Sequence, residues 1–216
     1  MKDKGNQGFS SRPKKAAAPV SGDELKKLVP KAQRGDVEAF QQLYALYSRK
    51  ILNYIYRLTG SREEAEDLTQ DTFVLAYKNI ESLKESNKFQ SWIFRIAQNN
   101  VYQMYRVKKP QMNPLPDEGS ELAESNRLTT SQKNPEDSLL SSELEQVIEA
   151  VINQLPDKQK GVFVLSAIHK LSYQEISEIE ERSLASVKSD VHRARVDVRD
   201  KVREYLREKD GLSRLQ

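Results

Sequence analysis

The segment from Leu171 to Arg199, LSYQEISEIEERSLASVKSDVHRARVDVR, has the signals of two short helices separated by a polar break. Ser172 and Glu175 form the S-x-x-E pattern that caps the start of a helix. Ser183 can cap a second helix, in which apolar residues recur at helical spacing on one side: Leu184, Val187, Val191, Ala194, Val198 and Val202. The spacing predicts a helix-turn-helix, which restricts this part of the chain to a small helical unit.

The other side of the second predicted helix is polar and partly basic, and it carries Ser186, Lys188, Ser189, His192, Arg193 and Arg195. Such a helix can enter the major groove of duplex DNA. The alternative is an amphipathic hairpin with a solvated charged face, because the charge from Leu184 onward is mixed. The pattern alone leaves both interpretations open.

Composition favours small helical modules over one large globule. Only 37% of the 216 residues are apolar, 31% are charged, and eight glycines argue against a sheet-rich fold. A net charge of +3 permits nucleic-acid binding without requiring it. The chain has no cysteine, which excludes disulfides and a thiol nucleophile. No apolar run approaches the roughly 18 residues of a membrane span, so we expect a cytoplasmic protein.

We predict an all-α fold of two small helical domains joined by a flexible linker. Helices are predicted around residues 23–29, from Asp36 to a stop at Thr59-Gly60, from a second S-x-x-E at Ser61 and Glu64 through about Tyr77, and from Phe89 to about Lys108. Asn134-Pro135 has the pattern of a helix start that leads into a second, four-helix unit. The predicted organisation is a disordered basic extension (1–22), a first domain (23–108), a Pro-rich linker (109–133), a second domain (134–209) and a tail (210–216).

No group of residues is typical of an enzyme. His169 and His192 are isolated from each other and from any cysteine, and the chain has no Gly-rich phosphate loop. We therefore expect no catalysis, no metal, no cofactor and no small-molecule substrate.

Two polar stripes in the first domain are candidates for binding. Asp67, Gln70 and Asp71 lie at i, i+3 and i+4 of a predicted helix, where they form a ridge that can dock a partner or an ordinary solvated surface. Trp92, Arg95, Asn99 and Gln103 follow one face of the next helix. An aromatic plane, a cation and two amides suit single-stranded bases, although a lone tryptophan beside two isoleucines is as often part of a core.

Five segments in this order resemble a bacterial sigma factor of the extracytoplasmic-function (ECF) type. They are GDVEAFQQLYALY, YRLTGSREEAEDLTQDTFVLAYKNI, SWIFRIAQNN, LPDKQKGVFVL and LSYQEISEI with VKSDVHRAR, and the resemblance covers about Gly35 to Leu206. The resemblance implies a subunit of RNA polymerase that recognises the -10 and -35 promoter elements and promotes melting. It also implies control by an anti-sigma factor, which is often membrane-bound.

The resemblance assigns roles to the candidate residues. Asp67, Gln70 and Asp71 would bind core RNA polymerase. The loop from Leu83 to Asn87, including Ser86, would hold a flipped base of the melted -10 strand, together with Trp92, Arg95, Asn99 and Gln103. The -35 duplex would be read by the second helix of the helix-turn-helix, with Lys188, Ser189 and Arg193 at the family's contact positions and Ser186, His192 and Arg195 beside them. The linker, with Asp117, Glu118, Glu121 and Glu124, would thread the polymerase cleft.

The chain departs from the family pattern at several positions. Glu181 stands where the turn usually has glycine, and Arg182 stands where an apolar residue is usual. Asp190 replaces a common basic residue, and an acid there repels phosphate while it can accept from a cytosine amine. Leu83 and Gln103 also replace the usual residues, so the -10 preference stays open. We expect an unusual -35 sequence or weaker dependence on that element.

Two other functions compete with the sigma-factor hypothesis. One is a dimeric helix-turn-helix regulator that binds duplex DNA without being a polymerase subunit. The other is a helical adaptor that uses the AEDLTQD segment and the linker for protein contacts only.

Overall fold

The computed structural model describes residues 22–108 and 147–213, with the backbone alone for residues 108 and 208–213. The N-terminal helices are α1 (Gly22–Gln33), α2 (Val37–Thr59), α3 (Arg62–Asn79) and α4 (Phe89–Lys108), with 3-10 turns at Ile80–Ser82 and Ser86–Lys88. The C-terminal helices are α5 (residues 147–153), α6 (Asp157–Phe163), α7 (Tyr173–Glu180) and α8 (Leu184–Ser213), with a π turn at Val164–Ile168. Every regular element within these ranges is helical, which confirms the predicted all-α class. The predicted linker and the helix start at Asn134 lie outside the described residues.

The ends of α2 follow from its flanking residues. The Asp36 side chain accepts a hydrogen bond from the backbone N–H of Ala39 at 3.0 Å. Gly60 adopts the left-handed conformation at φ 71°, and its N–H donates to the Tyr56 carbonyl at 2.8 Å. Both predicted ends are confirmed. The face between them forms the centre of the core and buries Leu43, Tyr47, Ile51, Tyr54 and Ile55.

Helix α1 extends beyond the predicted residues 23–29, and the apolar residues of α3 divide between core and surface. Helix α1 continues through Pro30 to Gln33, because Leu28, Val29 and Ala32 bury one of its faces despite the proline. In α3, Leu75 points outward with 39% exposure. Phe73 is buried in its place against the Tyr44 ring, with the ring centroids 4.7 Å apart.

The helix-turn-helix forms as the sequence predicts. The Ser172 hydroxyl accepts from the Glu175 N–H and the Glu175 carboxylate accepts from the Ser172 N–H, so the capping box is complete. Ser183 accepts from the N–H of Ser186 at the start of α8. The predicted apolar stripe buries Val187, Val191 and Ala194 fully. Glu181, in the turn, is left-handed at φ 52°, the conformation for which glycine is the usual residue.

The N-terminal and C-terminal helices pack against each other and share one hydrophobic core. Helix α4 contacts α7, and α2 contacts α6 and the π turn. The His169 ring lies against the rings of Phe94 and Tyr54, with centroid distances of 5.0 and 6.0 Å. The sequence predicted two linked domains but not this contact between them. Among the residues described, no helix has the length and apolar character to cross a membrane.

Candidate nucleic-acid interface

The polar ridge predicted on α3 is exposed. Asp67, Gln70 and Asp71 all face solvent, and Val74, one turn after Asp71, is 50% exposed. The opposite side of α3 is fixed to α4, because the Asn100 amide donates to the Thr72 hydroxyl at 3.0 Å in the core. The ridge is therefore held on a rigid helix and offers carboxylates, an amide and an apolar group to a partner.

A groove of about 440 Å³ lies between the loop after α3 and the start of α4, and we call it the α4 groove. It is lined by Ser82, Leu83, Lys84, Glu85, Lys88, Ser91, Trp92, Arg95 and Glu178. The Gln33 amide donates to the carbonyl oxygens of Ile80 and Leu83 at 3.0 and 2.7 Å, which fixes the loop that forms one wall. Leu83 is 7% exposed, so it contributes mainly to the core below the groove. Ser86 is half-buried, and Asn87 is exposed on the same loop.

The stripe along α4 is partly core and partly surface. Trp92 is half-buried against the Phe89 ring at 5.8 Å and also lines the α4 groove, so one part of its side chain packs on the core and another part reaches the groove. Arg95 is half-exposed in the next turn, and Asn99 and Gln103 are exposed beyond it. The stripe can therefore offer an aromatic edge, a cation and two amides to an extended chain of bases.

Carboxylates from the C-terminal helices occupy the cationic side of the α4 groove. Lys88 donates to Glu178, and this hydrogen bond raises the pKa of the lysine. Ser91 Oγ lies 3.4 Å from the other Glu178 oxygen, and Arg95 Nη1 lies 3.4 Å from Glu181 Oε1. Sequence reasoning missed Lys88 and Ser91 as groove residues. The cue for Lys88 was its position in the predicted polar loop, one residue before α4.

The basic side of α8 is only partly free. Lys188, Ser189, His192 and Arg193 are exposed at the start of the helix. Arg195 instead points back, because its guanidinium donates to Ser166 Oγ at 2.9 Å and to the Tyr173 hydroxyl at 3.2 Å. Those bonds tie α8 to the π turn and to α7, so Arg195 contributes to the orientation of the helix.

Two departures from the family pattern compensate each other. Arg182 in the turn forms an ion pair with Asp190 on α8 and donates to Ser186 Oγ at 2.6 Å. The side chains of Arg182 and Asp190 are 27% and 13% exposed, and Arg193 lies 4.0 Å from the other Asp190 oxygen. Asp190 is therefore largely neutralised by arginine, which reduces the phosphate repulsion expected from the sequence.

A group of buried titratable side chains lies where the N-terminal and C-terminal helices meet. Burial lowers the pKa of His169 to about 4, and the charges of Arg57 and Lys50 add to this shift. Burial also raises the pKa of the Glu180 carboxyl. No cluster of three or more metal-ligating side chains occurs in residues 22–108 and 147–213, so none of these groups belongs to a described metal site.

Comparison with known proteins identifies both halves of the chain. The Sigma-70 region 2 family model matches residues 43–110, and the Sigma-70, region 4 model matches residues 145–198. The chain is 37% identical over 186 residues to the ECF RNA polymerase sigma factor SigW of Bacillus subtilis, covering 83% of this chain and 97% of that protein. It is 33% identical over 182 residues to the ECF RNA polymerase sigma-E factor of Haemophilus influenzae, covering 83% and 95%.

Two solved structures share the fold. The sigma factor RpoE in complex with the anti-sigma factor NepR from Bartonella quintana superposes with a TM-score of 0.63 at 22% identity, over 77% of this chain and 98% of that chain. CnrH in complex with the cytosolic domain of CnrY superposes with a TM-score of 0.60 at 22% identity, over 83% and 96%.

These findings define the class first: the chain combines sigma region 2 with sigma region 4, the parts of a transcription-initiation factor that bind core RNA polymerase and promoter DNA. Within that class, the chain belongs to the ECF sigma factors. The resemblance seen in the sequence is confirmed. The family match across both regions favours the sigma factor over the dimeric regulator and the adaptor.

Proposed function

We propose that three separate surfaces of this sigma factor bind core RNA polymerase, the melted -10 strand and the -35 duplex. The α3 ridge of Asp67, Gln70 and Asp71 binds core RNA polymerase. Its carboxylates and amide are exposed together, and the adjacent Val74 supplies apolar area that a docked helix would cover. A polar rim around an apolar contact is the usual composition of a protein interface.

The α4 groove and the stripe beyond it bind the melted -10 strand. Trp92 can stack on a base, Arg95 can pair with phosphate, and Asn99 and Gln103 can bond base edges. Ser86 and Asn87 on the loop wall can contact a flipped base, whose unstacking such contacts must offset. The combination of a half-exposed tryptophan, a cation and a groove of base-accommodating size is the observation that carries this assignment.

The start of α8 reads the -35 duplex. The exposed side chains that would face the major groove of the DNA are Lys188, Ser189, His192 and Arg193. Ser186 and Arg195 instead hold the helix in place through hydrogen bonds to Arg182 and Ser166. Phosphate contacts position such a helix, and contacts to base edges select the sequence.

Several further features of the proposal rest on the family alone. The protein acts without catalysis, in the cytoplasm, and an anti-sigma factor controls it. The similar sigma factor RpoE of Bartonella quintana forms a complex with the anti-sigma factor NepR, which supports the last of these points. Its working domains are residues 23–108 and 134–209, with 1–22 as an extension, 109–133 as the linker and 210–216 as a tail. Co-purification without any inhibitory partner would contradict the control by an anti-sigma factor.

The test is transcription in vitro with purified core RNA polymerase on fragmented genomic DNA from the source organism, with and without this protein. We expect defined RNA starts that require the protein and share upstream elements.

In competition assays, Asp67→Ala with Asp71→Ala should lower affinity for core enzyme. Trp92→Ala should retain core binding and lose melting, and Lys188→Ala with Arg193→Ala should retain both and lose -35 selectivity. Protein-independent starts, or binding to duplex DNA without polymerase, would contradict the proposal.

A further inference from the structure

Asp190 lies on the part of α8 proposed to read the -35 duplex, but its carboxylate is poorly placed to contact DNA. The side chain is only 13% exposed, whereas that of Arg193, three residues further along the helix, is 66% exposed. One carboxylate oxygen pairs with Arg182, and the other lies 4.0 Å from Arg193 Nη1. A carboxylate that reads a cytosine must accept from its N4 amine. Both oxygens of Asp190 instead face arginines of the same chain.

The carboxylate is fixed in place by the turn before α8. Arg182 Nη2 donates to Ser186 Oγ at 2.6 Å as well as to Asp190. The backbone N–H of Ser186 in turn donates to Ser183 Oγ, the cap at the start of the helix. All four residues belong to the turn and the start of α8, so these contacts are internal to the helix-turn-helix.

A fixed carboxylate restricts the arginine beside it. Side chains at i and i+3 are neighbours on a helix surface, which brings Arg193 within reach of Asp190. A long side chain loses rotamer freedom when it binds, and an acceptor that already holds it removes part of that cost beforehand. A guanidinium has five N–H donors, so those that do not point at Asp190 stay available to a base edge.

We propose that Asp190 is a positioning residue for sequence selection. Its carboxylate, held by Arg182, aligns the Arg193 guanidinium for one base pair of the -35 element and does not itself contact the DNA. The proposal rests on the proposed role of α8 and adds to it the residue that sets how sharply Arg193 discriminates. The acid that departs from the family pattern thereby acts on selectivity, whereas its negative charge slightly weakens affinity for every duplex.

The experiment uses holoenzyme, formed from core polymerase and the full chain, with a promoter duplex mapped by the transcription assay. Each base pair of the -35 element is substituted in turn, and competition at fixed salt gives the ratio of the Kd for the substituted duplex to the Kd for the mapped one. Arg193→Ala should lower this ratio roughly tenfold at one base pair. Asp190→Ala should lower it roughly three- to tenfold at the same base pair and leave the other base pairs unchanged.

Two comparisons accompany these variants. Asp190→Ala with Arg193→Ala should lower the ratio no further than Arg193→Ala alone, because the acid acts through the arginine. Glu204→Ala removes an exposed acid further along α8 and is the control of equal net charge. It should leave the ratio at every base pair unchanged.

Further variants separate positioning from a structural effect on the turn. Asp190→Ala leaves Arg182 without its ion-pair partner, whereas Arg182→Leu with Asp190→Ala removes both charges and places an apolar residue in the turn. Discrimination should be lost at the same base pair in this double variant. Asp190→Glu keeps a carboxylate within reach of Arg193 and should recover part of the discrimination. A loosened recognition helix would instead lower the ratios at all base pairs, which would overturn the proposal.

The remaining outcomes also decide the matter. Loss of discrimination in Asp190→Ala at a different base pair from Arg193→Ala would show that the acid reads a base itself, and unchanged ratios would show that it has no part in selection. If Arg193→Ala weakens all duplexes equally, Arg193 contacts phosphate and has no base contact for Asp190 to align. Each of these results overturns the proposal. Failure of the proposed function is distinct, since the unmodified holoenzyme would then show no preference at any -35 base pair.

Discussion

At the residue scale, the pair of Arg182 and Asp190 shows how two unusual residues become compatible with DNA binding. Each alone departs from the family pattern, but in the fold they form an ion pair that is mostly shielded from solvent. Asp190 also lies 4.0 Å from Arg193, a proposed base-contacting residue. The acid therefore has a cation on each side, one in the turn and one on the recognition surface.

Replacement of Arg182 should leave the Asp190 carboxylate without its main ion-pair partner, so that its negative charge acts on the DNA. We expect Arg182→Ala to weaken binding of holoenzyme to a -35 duplex roughly three- to tenfold, because the Asp190 carboxylate then repels phosphate. Adding Asp190→Ala to that variant should restore most of the affinity. Electrophoretic titration at fixed salt measures both effects. If Asp190→Ala improves binding as much in the unmodified chain as in the Arg182→Ala background, Arg182 does not neutralise the acid.

Single residues were predictable where the signal was local. The caps at Asp36, Ser172 and Ser183 and the stop at Gly60 were read from neighbouring residues, and all four form as expected. The pairing of Arg182 with Asp190 was not predicted, because it joins a turn to the second turn of the next helix and neither residue carries a local sign of the other.

At the scale of elements, the turn between α7 and α8 carries backbone strain. Glu181 is left-handed at φ 52°, where a residue with a Cβ costs about 1–2 kcal/mol relative to the right-handed form. We expect Glu181→Gly to raise the free energy of unfolding by about 1 kcal/mol or less, since glycine also gains freedom in the unfolded chain. Urea unfolding followed by circular dichroism measures this change.

Glu181→Ala is the matched control, because it removes the same carboxylate and keeps the cost of the left-handed backbone. The glycine variant should be the more stable of the two. Equal midpoints would show that the turn carries no strain that glycine relieves.

The contact between α3 and α4 depends on a buried hydrogen bond. Asn100 Nδ2 donates to Thr72 Oγ1 at 3.0 Å, and Thr72 is fully buried. We expect Thr72→Val to cost about 1–3 kcal/mol, because the Asn100 amide then lacks its partner in the core. Thr72→Val with Asn100→Leu should cost less than the sum of the two single changes, as measured by the denaturation midpoint. Strict additivity would show that the two side chains act independently.

At the scale of the whole molecule, helices were predictable and their assembly was not. Periodicity and caps predicted the helices of both halves, since those signals lie within one segment. The contact of Lys88 with Glu178 joins residues 90 positions apart, and neither residue carries a local sign of the other. The sequence therefore predicted the α4 stripe as an aromatic ring, a cation and two amides, without the acids Glu178 and Glu181 that the fold places beside Lys88 and Arg95.

His169 makes the packing of the two halves sensitive to pH. It belongs to the C-terminal helices but lies against Tyr54 and Phe94, with the charges of Arg57 and Lys50 nearby. Its pKa is about 4 in the folded chain and 6.5 without these surroundings. Since the pKa of His169 is lower in the folded chain, its protonation favours unfolding or separation of the C-terminal helices from the N-terminal helices. The stability from neutral His169 is complete above pH 6.5 and falls as the pH drops toward 4.

The expected loss between pH 7.5 and pH 5 is about 2 kcal/mol from this histidine. His169→Phe keeps a ring against Tyr54 and Phe94 but cannot be protonated, so it should lose less stability over the same range. The comparison of the two proteins isolates His169, because Glu180, whose pKa burial raises, acts in the opposite direction in both. Urea unfolding at the two pH values measures the free energies, and energy transfer between dyes on α2 and α8 shows whether the halves separate first. Parallel losses in both proteins would mean that His169 does not couple pH to the packed arrangement.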